Sequence, residues 1–492
     1  MNRLILSAVL VLSVLPASAQ NQAVQVVQEE PDRSKLVPPA PARPVHLSSV
    51  QKDSLANGLR VALIELRRNP LVAATLVFPL AGSSFDPEGK QGLADAVAAL
   101  MTEGAGKLDG RAFADAAADL GTEVSVSASD DALTVSVVSL KENFDKALAL
   151  AADAVRLPAF PADQLERVRT EALAGLDEEK GSPGALAGKR IYARVFPNHP
   201  YGRSPDEKSL KALSLNDVQA FHASQVRPEG AVLAASGDIN MAELRALAQK
   251  HFGDWTAKTQ APAVAAVPAA EESVSRQKGL VIDIIDFPGA KQSTLRVGRA
   301  SIARSDPDYI PAMVLNFVLG EAPMMSRLDA NLRETHSWTY GARSKLTALR
   351  KGGLFLAATD VQVDATAPAL KEIFNEICRM REEPVPAKEL DMLKRMFAGF
   401  FLMKQQSVAG VAGQVAGIEL NGLSADAVAA YRDQVMAVTA EDLIRVAQKH
   451  WTAQELQVVI AGDAAVIRGA LSEIAPVRVL GIDGKPKSKE RV

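Results

Sequence analysis

The chain has 492 residues, 55 Lys and Arg against 58 Asp and Glu, and a single cysteine. A near-neutral, slightly acidic chain without a basic patch studded with aromatics argues against a nucleic-acid partner, and one cysteine rules out an internal disulfide. The length exceeds what one hydrophobic core usually serves, so two or more domains are expected.

The first element, MNRLILSAVLVLSVLPASAQ, carries basic Arg3, an apolar run from Leu4 to Leu15 and the small residues Ala17-Ser18-Ala19 before Gln20. This is the pattern of a cleaved secretory signal over residues 1–19, and it predicts an exported protein, periplasmic in a Gram-negative cell. The run is too short for a comfortable membrane span, and no later stretch reaches the ~18 apolar residues that one needs, so no integral membrane segment is expected. Residues 20–47, heavy in Pro and Val, read as an N-terminal extension.

A first α+β domain is expected over 48–256. It opens on the strand-like runs LRVALIEL and VAATLVFPL, and then the turn-and-helix stretch FPLAGSSFDPEGKQGLADAVAALMTEG from Phe78 to Gly104. LSLNDVQAFHASQVRPEGAVLAASGDINMAELRALAQKHF, from Leu213, pairs with VTAEDLIRVAQKHWTAQELQVVIAGDAAVIRGALSEI, from Val438. Each gives a capped amphipathic helix, an apolar run ending in Gly-Asp (Gly237-Asp238 and Gly462-Asp463) and another helix. The two Gly-Asp pairs lie 225 residues apart, the span of one domain, so the chain reads as a duplication. The Ala- and Pro-rich segment 257–278 is the expected linker, 279–477 the second domain, and 478–492 a basic, solvated tail. In the second domain GLVIDIIDF and STLRVGRASI read as strands, DYIPAMVLNFVLG and LDMLKRMFAGFFLMKQQ as helices. Gly410, Gly413 and Gly417 lack the lysine and preceding strand of a phosphate loop and fit close helix packing. Cys378, with Ile373, Phe374 and Ile377 around it, fits a small packed hydrophobe.

On Gly82, Ser83, Asp86, Gly92, Leu93 and Ala94, the stretch Phe78–Gly104 resembles the pitrilysin family of zinc metallopeptidases, which includes insulinase and the mitochondrial processing peptidase. There the frame is followed by H-x-x-E-H; here Asp95, Ala98 and Ala99 stand in place of the two histidines and the glutamate. Residues three and four apart share a helix face, so that motif offers two imidazoles to zinc and a carboxylate to its water. An alanine methyl has no lone pair, and none of the six histidines His46, His199, His222, His251, His336 and His450 pairs with another at helical ligand spacing. The resemblance implies a third ligand, a glutamate near LERVRTEALAGLDEE. Glu171, Asp177, Glu178 and Glu179 lie there and read as a solvated acidic face. No metal is therefore expected in this chain.

SRLDANLRETHSWTYGARS, from Ser326 to Ser344, is similar to a second family segment on Ser326, Arg327, Leu328, Leu332, Arg333, Glu334 and Tyr340. The resemblance implies that Arg333 grips peptide substrate and that Tyr340 bonds the developing oxyanion. The alternative is a helix-surface ion pair for Arg333 and a core position for Tyr340. PGAKQSTLRVG, from Pro288, and HPYGR, from His199, are lesser matches; His199 and His336 have no metal partner in this reading. Of the glycine-rich loop before Ser326 only Gly320 is kept, and Met324 and Met325 there fit an adaptable apolar surface or buried packing.

The expected fold class is therefore α+β: two homologous domains, each an antiparallel sheet with helices packed on one face, forming half of a clamshell. The expected function is that of the zinc-free subunit of an exported heterodimeric metallopeptidase, inactive alone, completed by a homologous partner that carries the zinc and acting on peptide or unfolded polypeptide. The alternative is a non-catalytic peptide-binding or scaffold protein of the same family.

Overall fold

The computed structural model describes residues 48–257, 267–269, 279–452 and 455–487. The expected signal, the extension and nearly all of the expected linker lie outside them.

The first half builds a six-stranded sheet from β1 (Gln51–Ser54), β2 (Arg60–Glu65), β3 (Leu71–Phe78), β6 (Val124–Ala128), β7 (Leu133–Leu140) and β8 (Val232–Gly237). A short ribbon, β4 (Gly104–Ala105) with β5 (Leu108–Asp109), stands apart. Its helices are α1 (Leu93–Leu100), α2 (Gly110–Asp119), α3 (Phe144–Arg156), α4 (Ala162–Lys180), α5 (Pro183–Val195), α6 (Glu207–Ala212), α7 (Leu215–Gln225) and α8 (Met241–Phe252). The second half has β9 (Ile282–Asp286), β10 (Gln292–Ser301), β11 (Thr339–Leu349), β12 (Gly352–Gln362), β13 (Gln457–Gly462) and β14 (Val477–Leu480). Its helices are α9 (Tyr309–Asn316), α10 (Thr366–Glu382), α11 (Ala387–Lys404), α12 (Val408–Leu420), α13 (Ala427–Ala437), α14 (Ala440–His450) and α15 (Ala464–Ser472).

The sheet orders are β1-β2-β8-β3-β7-β6 and β14-β9-β13-β10-β12-β11, one topology written twice. Most neighbours are antiparallel as expected, but β8 runs parallel to β2, and β13 to β9, because a helix layer carries the chain across before each. The outer edges differ. β1 enters from the start of the chain, antiparallel to β2; β14 enters from the end, parallel to β9. The tail expected to leave the fold after 477 instead supplies β14, and Lys487 folds back, its N donating to Val479 O and its Nζ lying 2.7 Å from Asp286.

Central strands read as unbroken apolar runs because both faces of each sheet are covered. All six residues of β8 are buried, as are all six of β13. One face packs on the half's own helices. The other is covered by a helix from the opposite half. Val411, Val415, Ala416 and Ile418 of α12 pack on Ala62, Ile64, Val77, Val232 and Ala234 of the first sheet. Ala187, Ile191 and Val195 of α5 pack on Ile285, Leu354, Val459 and Ala461 of the second.

Buried charge clusters hold both exchanged helices. Glu419 of α12, 6% exposed, takes Lys52 at 2.6 Å and Arg60 at 2.8 Å. Asp283 of β9, fully buried, takes Arg190 of α5 at 2.7 Å and Arg478 at 2.6 Å, with Arg194 at 3.8 Å. A third tie joins the halves at the β11–β12 turn. Tyr201 Oη donates to Asp131 at 2.5 Å, and Arg350 N donates to the same carboxylate at 2.7 Å.

Candidate functional site

Residue Gly92 opens α1 at φ +95, a conformation that favours glycine, and a Cβ there would meet Leu210 at 2.8 Å. The backbone N–H groups of Gly92 and Ala94 donate to Asp86 at 2.8 and 2.9 Å. Burial pushes the Asp86 carboxyl up to about 7 against those two hydrogen bonds, and the charge of Asp95 adds to the rise. The frame residues are thus structural and aim the first turn of α1.

That turn borders a cavity of about 720 Å³. Asp95 and Ala99, one helical turn apart, line it, whereas Ala98 turns away into the core at 3% exposure. Leu165, Val168, Arg169, Ala172, Leu176 and Glu179 of α4 form the facing wall at helical spacing. Of the acidic candidates on α4, Glu179 alone reaches the cavity, and Lys189 lies 3.4 Å from it. Glu171 is held by Arg167 at 2.8 Å and Asp177 by Lys180 at 2.5 Å, on the outer face.

These residues do not fit a zinc ion. Asp95, Asp130 and Glu179 are the acids that line the cavity and Ala99 supplies nothing, but among the described residues these three do not bring their oxygens together as a catalytic zinc with about three protein ligands requires. Among the described residues the one convergent trio of ligand types is Asp306, Asp308 and His450. It is already satisfied, since Asp308 accepts from Arg445 and Lys449 at 2.7 Å and from His450 at 3.0 Å. Burial would raise the Asp308 carboxyl, but these hydrogen bonds outweigh it and hold the group far below the usual carboxylate range.

Sequence reasoning missed Asp130, which lines the same cavity from the β6–β7 turn. The adjacent pair Asp130-Asp131 was the available signal. Burial raises the Asp130 carboxyl, the charges of Asp131 and Asp95 add to this, and only the Ser83 hydroxyl opposes it. Desolvation at the cavity mouth raises Asp95 too, although the residue is exposed there. His199 is spent on structure: Nδ1 accepts from Tyr201 N at 3.1 Å and Nε2 faces Pro268 O at 2.9 Å, and burial lowers its pKa.

No residue of the second half lines this cavity. Arg333 lies on a π-wound segment, Asp329–Thr335, with Glu334 3.5 Å from its Nε. A second π-wound turn, Phe317–Glu321, precedes it, and non-glycine residues with positive φ, Met324 at 57 and Ser337 at 56, bracket the motif. Such wide turns and left-handed residues concentrate at functional sites. Tyr340 is 94% exposed near the start of β11, the free edge of its sheet, so it is no core residue. Gly320 lets the π-turn approach that strand, since a Cβ would stand 2.3 Å from Ser344 N. His336 stacks on Trp338 with ring centroids 4.0 Å apart. Met324 and Met325 are exposed rather than packed. At the far end of β11, Thr347 bonds Tyr192, a lining residue of the cavity. At about 3.3 Å per residue, that leaves Tyr340 roughly 20 Å along the strand from the cavity wall. Among the described residues no hydrogen bond or ion pair joins Arg333 to Tyr340.

No helix among the described residues is long and apolar enough to cross a membrane. Residues 60–205 match the family model "Insulinase (Peptidase family M16)" and residues 212–397 the model "Peptidase M16 inactive domain". A peptidase M16 inactive domain from Pseudomonas fluorescens has a similar solved structure. It is 29% identical with a TM-score of 0.77, over 84% of this chain and 98% of that one. The zinc protease PqqE of Helicobacter pylori is 23% identical over 82% of this chain and 91% of its own. A non-peptidase homolog, YmxG, of the same organism is 23% identical over 67% and 74%.

Proposed function

Because the chain belongs to peptidase family M16, as a member without the zinc ligands, we propose that it is the zinc-free subunit of an exported heterodimeric metallopeptidase. In this reading Arg333 binds the peptide backbone and Tyr340 polarises the scissile carbonyl in a site completed by a homologous partner that holds the zinc. The observation that carries it is the placement of the pair. Tyr340 stands almost fully exposed on a free sheet edge, far from this chain's own cavity, where a residue with only a local role would gain nothing.

The physical roles follow from the side chains. A guanidinium presents a rigid fork of donors to carbonyl oxygens. A phenol held ready for an oxyanion costs no reorganisation at the moment of reaction. The free edges β11 and β6 each expose a row of backbone groups that an extended peptide could join as an added strand. The domain boundaries at 256 and 279, and export by the leader over 1–19, belong to the same proposal. The occurrence of both a zinc protease and a non-peptidase homolog in one relative organism is consistent with a paired arrangement.

The test is hydrolysis of an extended peptide by this chain alone, by a zinc-bearing homologue from the same cell and by their mixture. Activity confined to the mixture, and lowered by Arg333→Ala and by Tyr340→Phe, is expected. Unchanged activity in both variants, with loss on removing the whole subunit, would favour the scaffold reading instead.

A further inference from the structure

We propose that Asp329 is a positioning residue for Tyr340: it holds the β-bulge that turns the tyrosine out of the core, and ties that bulge to the segment carrying Arg333. Its part in hydrolysis rests on the functional reading above; the bulge and its supports rest on this chain's own geometry.

Strand β11 does not keep one register. Thr339 lies opposite Val361 and Ala342 opposite Thr359, so Tyr340 and Gly341 together stand against Asp360. The extra residue decides which way Tyr340 faces. Ala342 and Ser344 are buried, Ser344 with its hydroxyl on Asn316 O of α9 at 3.2 Å. Strict alternation along the strand would put Tyr340 on that same inner face. With the bulge the side chain is exposed instead.

The bulge is held from two sides. On one, Gly341 O accepts from the hydroxyls of Thr339 and Thr359 at 2.9 and 3.0 Å, and Gly341 N donates to Thr339 Oγ1 at 3.0 Å. On the other, Ala342 N donates to Asp329 Oδ1 at 2.8 Å. Asp329 is buried, opens the π-wound segment that carries Arg333, and makes no ion pair among the described residues. The chain between them is tied back onto the same segment, with Ser337 N donating to Arg333 O and Trp338 N to Leu332 O, both at 3.0 Å. Burying a carboxylate against one N–H costs stability. What it secures here is a fixed relation between the backbones of Arg333 and Tyr340, whose side chains share no hydrogen bond. A tyrosine standing free on a sheet edge takes its aim from its backbone, and a misplacement of about 1 Å can slow a reaction by about 10²-fold.

The test has two arms, both on the full chain. In the first, without a partner, the five tyrosines are replaced by 3-fluorotyrosine, and the fluorine resonance of Tyr340 is identified by its loss in Tyr340→Phe. Asp329→Ala should shift or split that line. Asp329→Asn, whose amide oxygen accepts the same N–H, should leave it in place. In the second arm, with a zinc-bearing homologue, Asp329→Ala should lower kcat by about tenfold or more with KM little changed. Asp329→Asn should restore the rate, and Asp329→Ala combined with Tyr340→Phe should be no slower than Tyr340→Phe alone. Thermal unfolding checks each variant, and Thr359→Val, which removes a hydroxyl from the other side of the bulge, carries both arms if Asp329→Ala does not fold. An unmoved tyrosine line in the folded variant, or additive losses in the double variant, would overturn the proposal. Full activity of Tyr340→Phe beside a shifted line in Asp329→Ala would sink the shared-site reading and still support Asp329 as the residue that places Tyr340.

Discussion

A donor aimed at a partner's site must sit where it contributes little to this chain's own stability, and Tyr340 at 94% exposure meets that condition. Tyr340→Phe should therefore leave the unfolding temperature unchanged while lowering kcat/KM of the complex by about 10²- to 10³-fold, the loss typical of one oxyanion donor. Arg333→Ala should act mainly through KM if it binds substrate and transition state alike. Asp308 gives a contrasting case, a residue whose charge serves the fold. Its carboxyl is depressed by Lys449, His450 and Arg445 against the effect of its burial, so the ionised form stabilises. That contribution is present above the unfolded carboxylate's value near 3.8 and is lost as pH falls below it. Thermal melts of the wild type should decline more steeply between about pH 4 and pH 2 than those of Asp308→Asn, which lacks the titrating group.

Among the elements, α5 and α12 matter most, because each finishes the other half's sheet. Ile191, fully buried on α5, packs against the second sheet; Ile191→Ala should cost about 2 to 5 kcal/mol in denaturant unfolding, in line with other large-to-small core changes. Asp283→Ala should cost about 3 to 5 kcal/mol, because it strands the arginines Arg190, Arg194 and Arg478 around a buried position. How much of this was legible follows from what each signal reports. The strands and the Gly-Asp repeat were readable because period, capping and turn residues act locally, whereas the frame from Gly82 to Ala94 was read through its family resemblance. The exchange of helices was not read, although the sequence carried a hint. VLAASG and QVVIAG lack the alternation of a sheet with one wet face, and the apolar residues of α12 recur on more than one side. Such runs tell that both faces are covered and say nothing of what covers them. The π-winding around Arg333 left no signal either, since it depends on Gly320 meeting Ser344, a long-range approach.

Taken whole, the molecule is two copies of one topology that are not independent of each other. Residues 48–257 without the second half would leave Ala62, Ile64, Val77, Val232 and Ala234 facing water, and residues 279–487 alone would bare Ile285, Leu354, Val459 and Ala461. Each half expressed separately should aggregate or bind a hydrophobic dye, and co-refolding the two should restore a single cooperative transition by circular dichroism. Two separate transitions in the intact chain would contradict the interlock.

The same interlock has a consequence in time. A polypeptide is made from its N-terminus, and the outer face of the first sheet, complete in strands by Gly237, is covered among the described residues by α12, which ends only at Leu420. For that interval the chain holds a finished sheet with one dry face exposed, and contacts this distant in sequence form slowly. Its first half is therefore committed to wait, unclosed and open to chaperones, until most of the second half has been made.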